Sequence, residues 1–475
     1  MKNTNPIAVA LLACACLAGA VPPPAAAAAP AVETTAVTAR APTFEYRLDN
    51  GMRIIVKPDR RAPVVVSMVW YRVGSIDEPT GHTGVAHVLE HMMFKGTRDV
   101  PAGQFSRLIA GAGGRDNAFT TRDATAYFQR LQKDQLPLAL RLEADRMANL
   151  VLSAAEFEKE IQVVMEERRL RVEDQARSLL FEQLMATAYK AHPYRQPVIG
   201  WMDDLRHMKV DDARAFYERW YGPNNAMLVV VGDVDPEQVR ALAQQHFGPL
   251  KRRELPVQRE FVEAEQRGIQ RITVKAPAEL PYLVMAYRAP RLRDPEQDWE
   301  AYALDVLSDV LSGSEAGRLT RRLVRESRVA SAAAAGYDGI GRGPALFQLF
   351  GVPTPGRTVA ELEQALRAEI ERVVKDGVSA EELERVKAQT IASDVFQRDS
   401  MMFQARQIGA LEIAGIPHRY IDRFIDKLKA VTPEQVQAVA RKYLVDDGLT
   451  VAYLDPQPLP EGRRETPPGG ADHVR

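Results

Sequence analysis

Apolar and polar positions alternate over Phe44-Glu45-Tyr46-Arg47-Leu48 and again over Met52-Arg53-Ile54-Ile55-Val56, with Asp49-Asn50-Gly51 between. That pattern predicts a β-hairpin at the start of the folded chain. Val64 to Val73 carries little polarity and predicts a strand central in a sheet. Gly84 to Phe94 has no proline and is apolar between its few polar positions, which predicts a buried helix. Gly103 to Ala110 predicts another helix, broken by Gly111-Ala112-Gly113-Gly114. The threonine and aromatic content of Arg115 to Phe128 predicts a strand. Long helices are expected over Leu136 to Asn149 and Ala154 to Tyr189, the second broken near Glu173–Ala176. Helices over Val210 to Trp220 and Pro236 to Phe247 flank a strand from Ala226 to Asp233.

Residues 251–267 are charged and poor in large apolar side chains, and predict a linker between domains 44–250 and 268–457. The second domain repeats the first. Leu366-Arg367-Ala368-Glu369-Ile370-Glu371-Arg372 echoes Leu140-Arg141-Leu142-Glu143-Ala144-Asp145-Arg146, and the stretch from Val431 to Tyr453 echoes Val210 to Val231. A repeat of this length predicts duplicated α+β domains that bury a surface against each other.

Composition adds limits. At 475 residues and 46% hydrophobic, the chain can form more than one full core. A net charge of −1 provides no overall field for nucleic acid. Both cysteines, Cys14 and Cys16, lie near the N-terminus, so nothing later forms a disulfide or a thiolate metal site. Residues 1–28, with Lys2, a short apolar run and small residues at Ala18-Gly19-Ala20, read as a signal peptide, which implies a periplasmic location. Leu12 fits poorly in a lipid-attachment signal ending at Cys14. Residues 29–43 read as a flexible leader and 458–475 as a tail.

The chemistry centres on His87-Val88-Leu89-Glu90-His91. On a helix, residues four apart stack on one face, so His87 and His91 aim at one point and Glu90 lies close to it. Two imidazoles at that spacing can share a zinc ion, and a nearby carboxylate outside the ligand set can take a proton from its water. The order H-x-x-E-H is the inverzincin signature. A catalytic zinc needs a third protein ligand. The acid-rich helix from Phe157 to Arg169 offers Glu160 and Glu167, two turns apart, and Glu166, a quarter-turn away. Local geometry does not choose between Glu166 and Glu167.

These residues resemble the pitrilysin family of zinc peptidases, which includes insulin-degrading enzyme and the mitochondrial processing peptidase. The family pattern is HxxEH, a long spacer, then a Glu ligand preceded seven positions earlier by another acid. The resemblance implies that His87, His91 and Glu167 bind one Zn²⁺, that Glu90 is the catalytic base and that Glu160 is an auxiliary catalytic carboxylate. It implies two homologous domains, each a mixed, mostly antiparallel sheet packed with helices, together half of a clam-shell chamber. Asn117-Ala118-Phe119-Thr120 resembles the family's edge strand, where an extended peptide substrate pairs by backbone hydrogen bonds. Arg325 matches a substrate-holding Arg of the family, but the Tyr expected seven residues on is Ala332, and Tyr337 is displaced. The expectation is therefore a zinc endopeptidase acting as a homodimer or as a heterodimer with a related subunit that lacks HxxEH and supplies the Arg/Tyr pair. The alternative is a zinc-binding, non-proteolytic assembly subunit. Position 393, aligned with Glu167, is Ser393, and the second half has no HxxEH, so the metal site is expected once.

Overall fold

The computed structural model describes residues 42–460. The signal segment read over 1–28, the leader as far as 41 and the tail from 461 lie outside the described residues. The first half runs β1 (Phe44–Arg47), β2 (Arg53–Pro58), β3 (Val64–Tyr71), α1 (Val85–Met92), α2 (Gln104–Gly111), β4 (Arg115–Thr120), β5 (Thr125–Gln132), α3 (Leu136–Asn149), α4 (Ala154–Arg168), α5 (Ala176–Ala188), α6 (Met202–His207), α7 (Val210–Trp220), β6 (Ala226–Gly232) and α8 (Pro236–Phe247). The second half runs β7 (Gln270–Pro277), β8 (Tyr282–Ala289), α9 (Trp299–Ser312), β9 (Ala330–Tyr337), β10 (Ala345–Pro353), α10 (Val359–Asp376), α11 (Ala380–Gln397), α12 (Met401–Ala414), α13 (Tyr420–Ala430), α14 (Pro433–Tyr443) and β11 (Leu449–Gln457).

The strand orders are β1-β2-β6-β3-β5-β4 and β7-β11-β8-β10-β9. Without β1, the first order maps onto the second strand for strand. Each sheet has one parallel pair, β2 with β6 and β7 with β11, and is otherwise antiparallel. The duplication read from the helices is therefore a duplication of whole sheets. One expected strand is two: Arg115 to Phe128 folds as the β4–β5 hairpin. Its turn carries no glycine or proline. The Thr121 hydroxyl builds it instead, accepting from the Asp123 and Ala124 amides at 3.1 and 3.0 Å.

Side chains of β3 alternate between two cores. Val65, Val69 and Tyr71 point to the helices of their own half, while Val66, Met68 and Trp70 join a core built mainly from the second half. The halves interlock. Helix α12 covers β3 and β6 of the first sheet, and α5 covers β7 and β11 of the second. At the tightest point Gly409 of α12 meets Trp70, where a Cβ would lie 2.0 Å from the indole.

Residues 251–267 form no helix or strand, yet they are not a free linker. Phe261 packs in a core with Tyr189 and Tyr194. The Glu263 carboxylate accepts from the Lys190, Ala191 and His192 amides at 2.9, 3.0 and 2.7 Å. Few apolar residues suffice here because the polar groups find partners on the first half.

A buried carboxylate also joins the halves. Glu412 on α12 accepts from Arg53 on β2 and from His418, each at 2.7 Å. Burial works against its charge, but the hydrogen bonds from His418 and Arg53 outweigh it and hold the carboxyl at about 2. A depressed folded-state pKa stabilises above the unfolded value and fades as pH falls toward the folded one. The window is thus from about pH 4.5 down to about 2, and the full effect is about 3 kcal/mol. Glu412→Gln is expected to be less stable than the parent at pH 7, with the gap shrinking below pH 4.5 and closing only toward pH 2, read from urea midpoints. A constant gap between the two curves would refute this.

Candidate metal centre

Helix α1 starts at Gly84, whose φ of 89° suits glycine. The buried Glu78 carboxylate caps the start, accepting from the Gly84 and Ala86 amides at 2.9 Å each. Every residue of the helix is buried, the three polar ones included. The His87 and His91 rings lie 4.7 Å apart, edge to face. Helix α4 brings Glu167 to them. Its Oε2 sits 3.3 Å from His91 Nε2 and 3.7 Å from His87 Nε2. Burial separates the two adjacent acids: the Glu167 side chain is 15% exposed, while Glu166 is 59% exposed and pairs with Arg169 on the surface.

Glu160, two turns before Glu167, meets His91 Nδ1 at 2.8 Å, and Lys95 reaches its other oxygen at 2.5 Å. This carboxylate makes Nδ1 the protonated nitrogen and leaves the Nε2 lone pair facing Glu167. Arg171, one turn after Glu167, holds Glu167 Oε1 at 2.7 Å. Burial opposes the charge on both acids. Contacts with His91 and Lys95 nevertheless hold Glu160 at about 2, and Arg171 favours the charged form of Glu167. Glu90 stands apart from the donor cluster, with one oxygen fixed by the Thr120 hydroxyl at 2.6 Å.

These residues fit a zinc ion. Glu167 Oε2 is buried and makes no hydrogen bond. The three donors lie within 4.8 Å of one another and form the only such group among the described residues. Bonds of about 2.0–2.1 Å to a tetrahedral ion would separate donors by about 3.3 Å, close to the spacing seen. Imidazole and carboxylate are zinc ligands, and three protein ligands is the count of a catalytic site. A consequence can be checked on metal affinity alone. Removing the group that orients a histidine ligand costs ~10–100-fold. Glu160→Ala is therefore expected to weaken zinc binding by about that factor in a competition with a chelating dye, and unchanged affinity would refute the role.

Beside the cluster opens a cavity of about 980 Å³. His87, Phe119, Thr120 and Glu167 line it from the first half, and Tyr337, Leu346 and Arg406 from the second. Strand β4, with Asn117, Ala118, Phe119 and Thr120, is the outer strand of its sheet. The Ala118 side chain is buried in the core, so only its backbone can face a ligand. Its amide donates to Asn117 Oδ1 at 2.9 Å.

Arg325 is not brought to this site. It lies in the π-helical turn Thr320–Glu326, 57% exposed and paired with Glu315, and is absent from the cavity wall. Ala332 is on β9, and the Tyr337 hydroxyl is committed to the Pro290 carbonyl at 2.5 Å. Two residues of the site, Lys95 and Arg171, escaped the sequence reading, although each lies one helical turn beyond a residue it singled out. In the second half, α9 packs on α11, α14 and β9 as α1 packs on α4, α7 and β4. There it carries Asp305-Val306-Leu307-Ser308-Asp309 in place of His87-Val88-Leu89-Glu90-His91.

Two half-equivalent lobes hold one histidine-carboxylate cluster, and the comparisons name the family. Residues 53–201 match the family described as insulinase (peptidase family M16), and residues 207–390 match the peptidase M16 inactive domain. The chain belongs to peptidase family M16. It is similar to the zinc protease PqqE of Helicobacter pylori, 30% identical over 423 residues that cover 86% of this chain and 92% of PqqE. The crystal structure of a protease from Helicobacter pylori superposes with a TM-score of 0.83 at 28% identity, covering 88% of this chain and 100% of that one. The periplasmic protease PqqL from Escherichia coli shares the fold, with a TM-score of 0.74 at 21% identity over 88% of this chain and 48% of PqqL.

Proposed function

We propose that this chain is a zinc-dependent endopeptidase acting on peptides or unfolded protein segments, with His87, His91 and Glu167 holding the metal and Glu90 as the general base. The observation that carries the reading is the convergence of two buried histidines and the half-buried Glu167 within 4.8 Å beside a carboxylate outside the set. Zinc bound there would supply a Lewis acid that acidifies water and polarises the scissile carbonyl. The chain's own residues do the rest. Strand β4 aligns an extended peptide by its edge. The Thr120 hydroxyl aims Glu90, which takes the proton from the attacking water and returns it to the leaving amine. Glu160 and Lys95 keep His91 oriented, and Arg171 steadies Glu167.

Donors for the developing oxyanion come, in this reading, from a second chain. The outlying position of Arg325 and the alanine at 332 support a related, HxxEH-lacking partner that contributes an Arg/Tyr pair. Loss of one oxyanion donor costs ~10²–10³ in rate. The signal peptide read over residues 1–28 supports export to the periplasm. The test is hydrolysis of a quenched fluorescent peptide mixture by the purified chain, with and without chelator, alone and with the partner, alongside gel filtration. Chelator-sensitive cleavage that rises at least a hundredfold with the partner is the expected result. Full activity from an isolated monomer would sink the two-chain reading, and no cleavage by the zinc-loaded pair would sink the peptidase.

A further inference from the structure

The cavity beside the metal cluster is lined by four arginines, Arg122, Arg171, Arg195 and Arg406, and by as many acids, most of which are engaged elsewhere. Four acids line it: Glu167, Asp123, Glu182 and Asp338. Three are committed. Glu167 is held by Arg171. Asp123 accepts from the Tyr194 hydroxyl at 2.6 Å and the Arg342 amide at 3.0 Å. Glu182 takes both prongs of Arg168 at 2.8 and 3.0 Å. The fourth, Asp338, accepts from the Ile340 amide at 3.3 Å; burial pushes its carboxyl up, toward the neutral form, against that hydrogen bond and the charge of Arg122.

Among the described residues three lining arginines, Arg122, Arg195 and Arg406, form no ion pair with a carboxylate, although Arg122 lies within electrostatic reach of Asp338. Arg122 follows β4 in the hairpin turn. Its guanidinium lies 5.6 Å from the Tyr194 ring centre, and its Nε is buried without a hydrogen bond. Arg406 projects from α12 with its guanidinium 4.7 Å from the ring of Phe119. Phe119 adjoins Thr120, which holds Glu90. Both cations therefore flank the end of β4 nearest the base, one from each half of the chain. A buried guanidinium nitrogen without a partner is costly, and a planar fork is the best side-chain match to a carboxylate. Arg195, exposed like Arg406, donates to the Lys190 carbonyl.

We propose that Arg122 and Arg406 form a carboxylate-recognising subsite, so that the preferred substrates are peptides presenting an acidic side chain or a free C-terminal carboxylate beside the segment aligned on β4. The proposal rests on the peptidase reading for the word substrate, but the subsite itself is testable without turnover. The probes are fluorescein-labelled peptides: one with two Glu residues, its Gln counterpart, both C-terminally amidated, and the Gln peptide with a free C-terminus. They are titrated by anisotropy against zinc-loaded Glu90→Gln protein, with and without Arg122→Gln and Arg406→Gln together. A carboxylate-bearing peptide is expected to bind about tenfold more tightly than the neutral amidated one, the gain of one charge-assisted contact. The ratio should fall toward one in the double variant and in high salt. Preference for the Glu peptide assigns the side chain, and preference for the free terminus assigns the chain end. Equal binding of all three, binding of none, or a ratio that survives the double variant each overturns the subsite. Turnover by the wild-type chain is then measured separately. Cleavage without discrimination removes the subsite and leaves the peptidase, whereas discrimination without any cleavage does the reverse.

Discussion

Glu90→Gln lowers kcat for peptide hydrolysis by about a thousandfold, with KM little changed and one zinc still bound per chain. Glu90 lies outside the donor group formed by His87, His91 and Glu167, so the substitution leaves the metal ligands intact. Gln has the same shape and still accepts from the Thr120 hydroxyl, which lies 2.6 Å from one oxygen of Glu90. What is lost is the capacity to take a proton, and general-base catalysis contributes ~10²–10⁴. A step confined to the transition state shows in kcat rather than KM. Steady-state kinetics of the partnered enzyme, paired with metal analysis of the same samples, reads both quantities. More than a tenth of the parental kcat in a zinc-loaded variant would falsify the assignment of Glu90 as the base.

The cluster of His87, His91 and Glu167 was legible in the sequence to the extent that it is local. His87, Glu90 and His91 are fixed relative to one another by one helix, and a helix obeys a spacing rule. Glu167 was not separable from Glu166 on those terms, because both flank the same apolar stripe. The choice is made by packing, which buries one and turns the other to Arg169. Lys95 and Arg171 show the limit from the other side. Spacing places each a turn beyond a singled-out residue, but only the approach of α4 to α1 makes Glu160 the partner of Lys95. Arg325 was expected from the family resemblance alone. Such a role depends on what faces the residue in the assembled enzyme, and within this chain Arg325 faces Glu315 and solvent.

Helix ends were legible where capping chemistry marks them. Ser153 caps α4 and Asp235 caps α8, each accepting from an amide three residues on. The β4–β5 turn was missed because a threonine hydroxyl replaces the usual glycine signal. The exchange of α5 and α12 between sheets left no trace in the pattern, since a helix face reads the same whichever sheet it covers. That exchange matters for the site: α12 carries Arg406 to Phe119 and ties Glu412 to Arg53.

The largest stability effect is expected in the core of the first half, at a pair the repeat made visible for another reason. Arg146 and Glu143, within the stretch echoed by the second half, are fully buried on α3 and joined by hydrogen bonds of 2.8 and 2.5 Å. The guanidinium lies 4.2 Å from the ring centre of Tyr127, 4.4 Å from Phe105 and 5.2 Å from Phe94, the residue before Lys95. Gln129 of β5 donates to Glu143 at 2.5 Å. Removing one member strands the other charge in the core, which costs about 3–5 kcal/mol. Arg146→Met is expected to lose that much in urea unfolding, and to loosen the end of α1 that presents Lys95 to Glu160. Replacing both members by apolar residues removes the stranded charge. Glu143→Leu with Arg146→Met should therefore recover at least about half of the loss, at the cost of stripping Gln129 of its hydrogen-bond acceptor. A single variant within about 1 kcal/mol of the parent would show the pair to be dispensable. A double variant worse than the single would show instead that the arginine's contacts with the three rings, and not its charge balance, hold this core together.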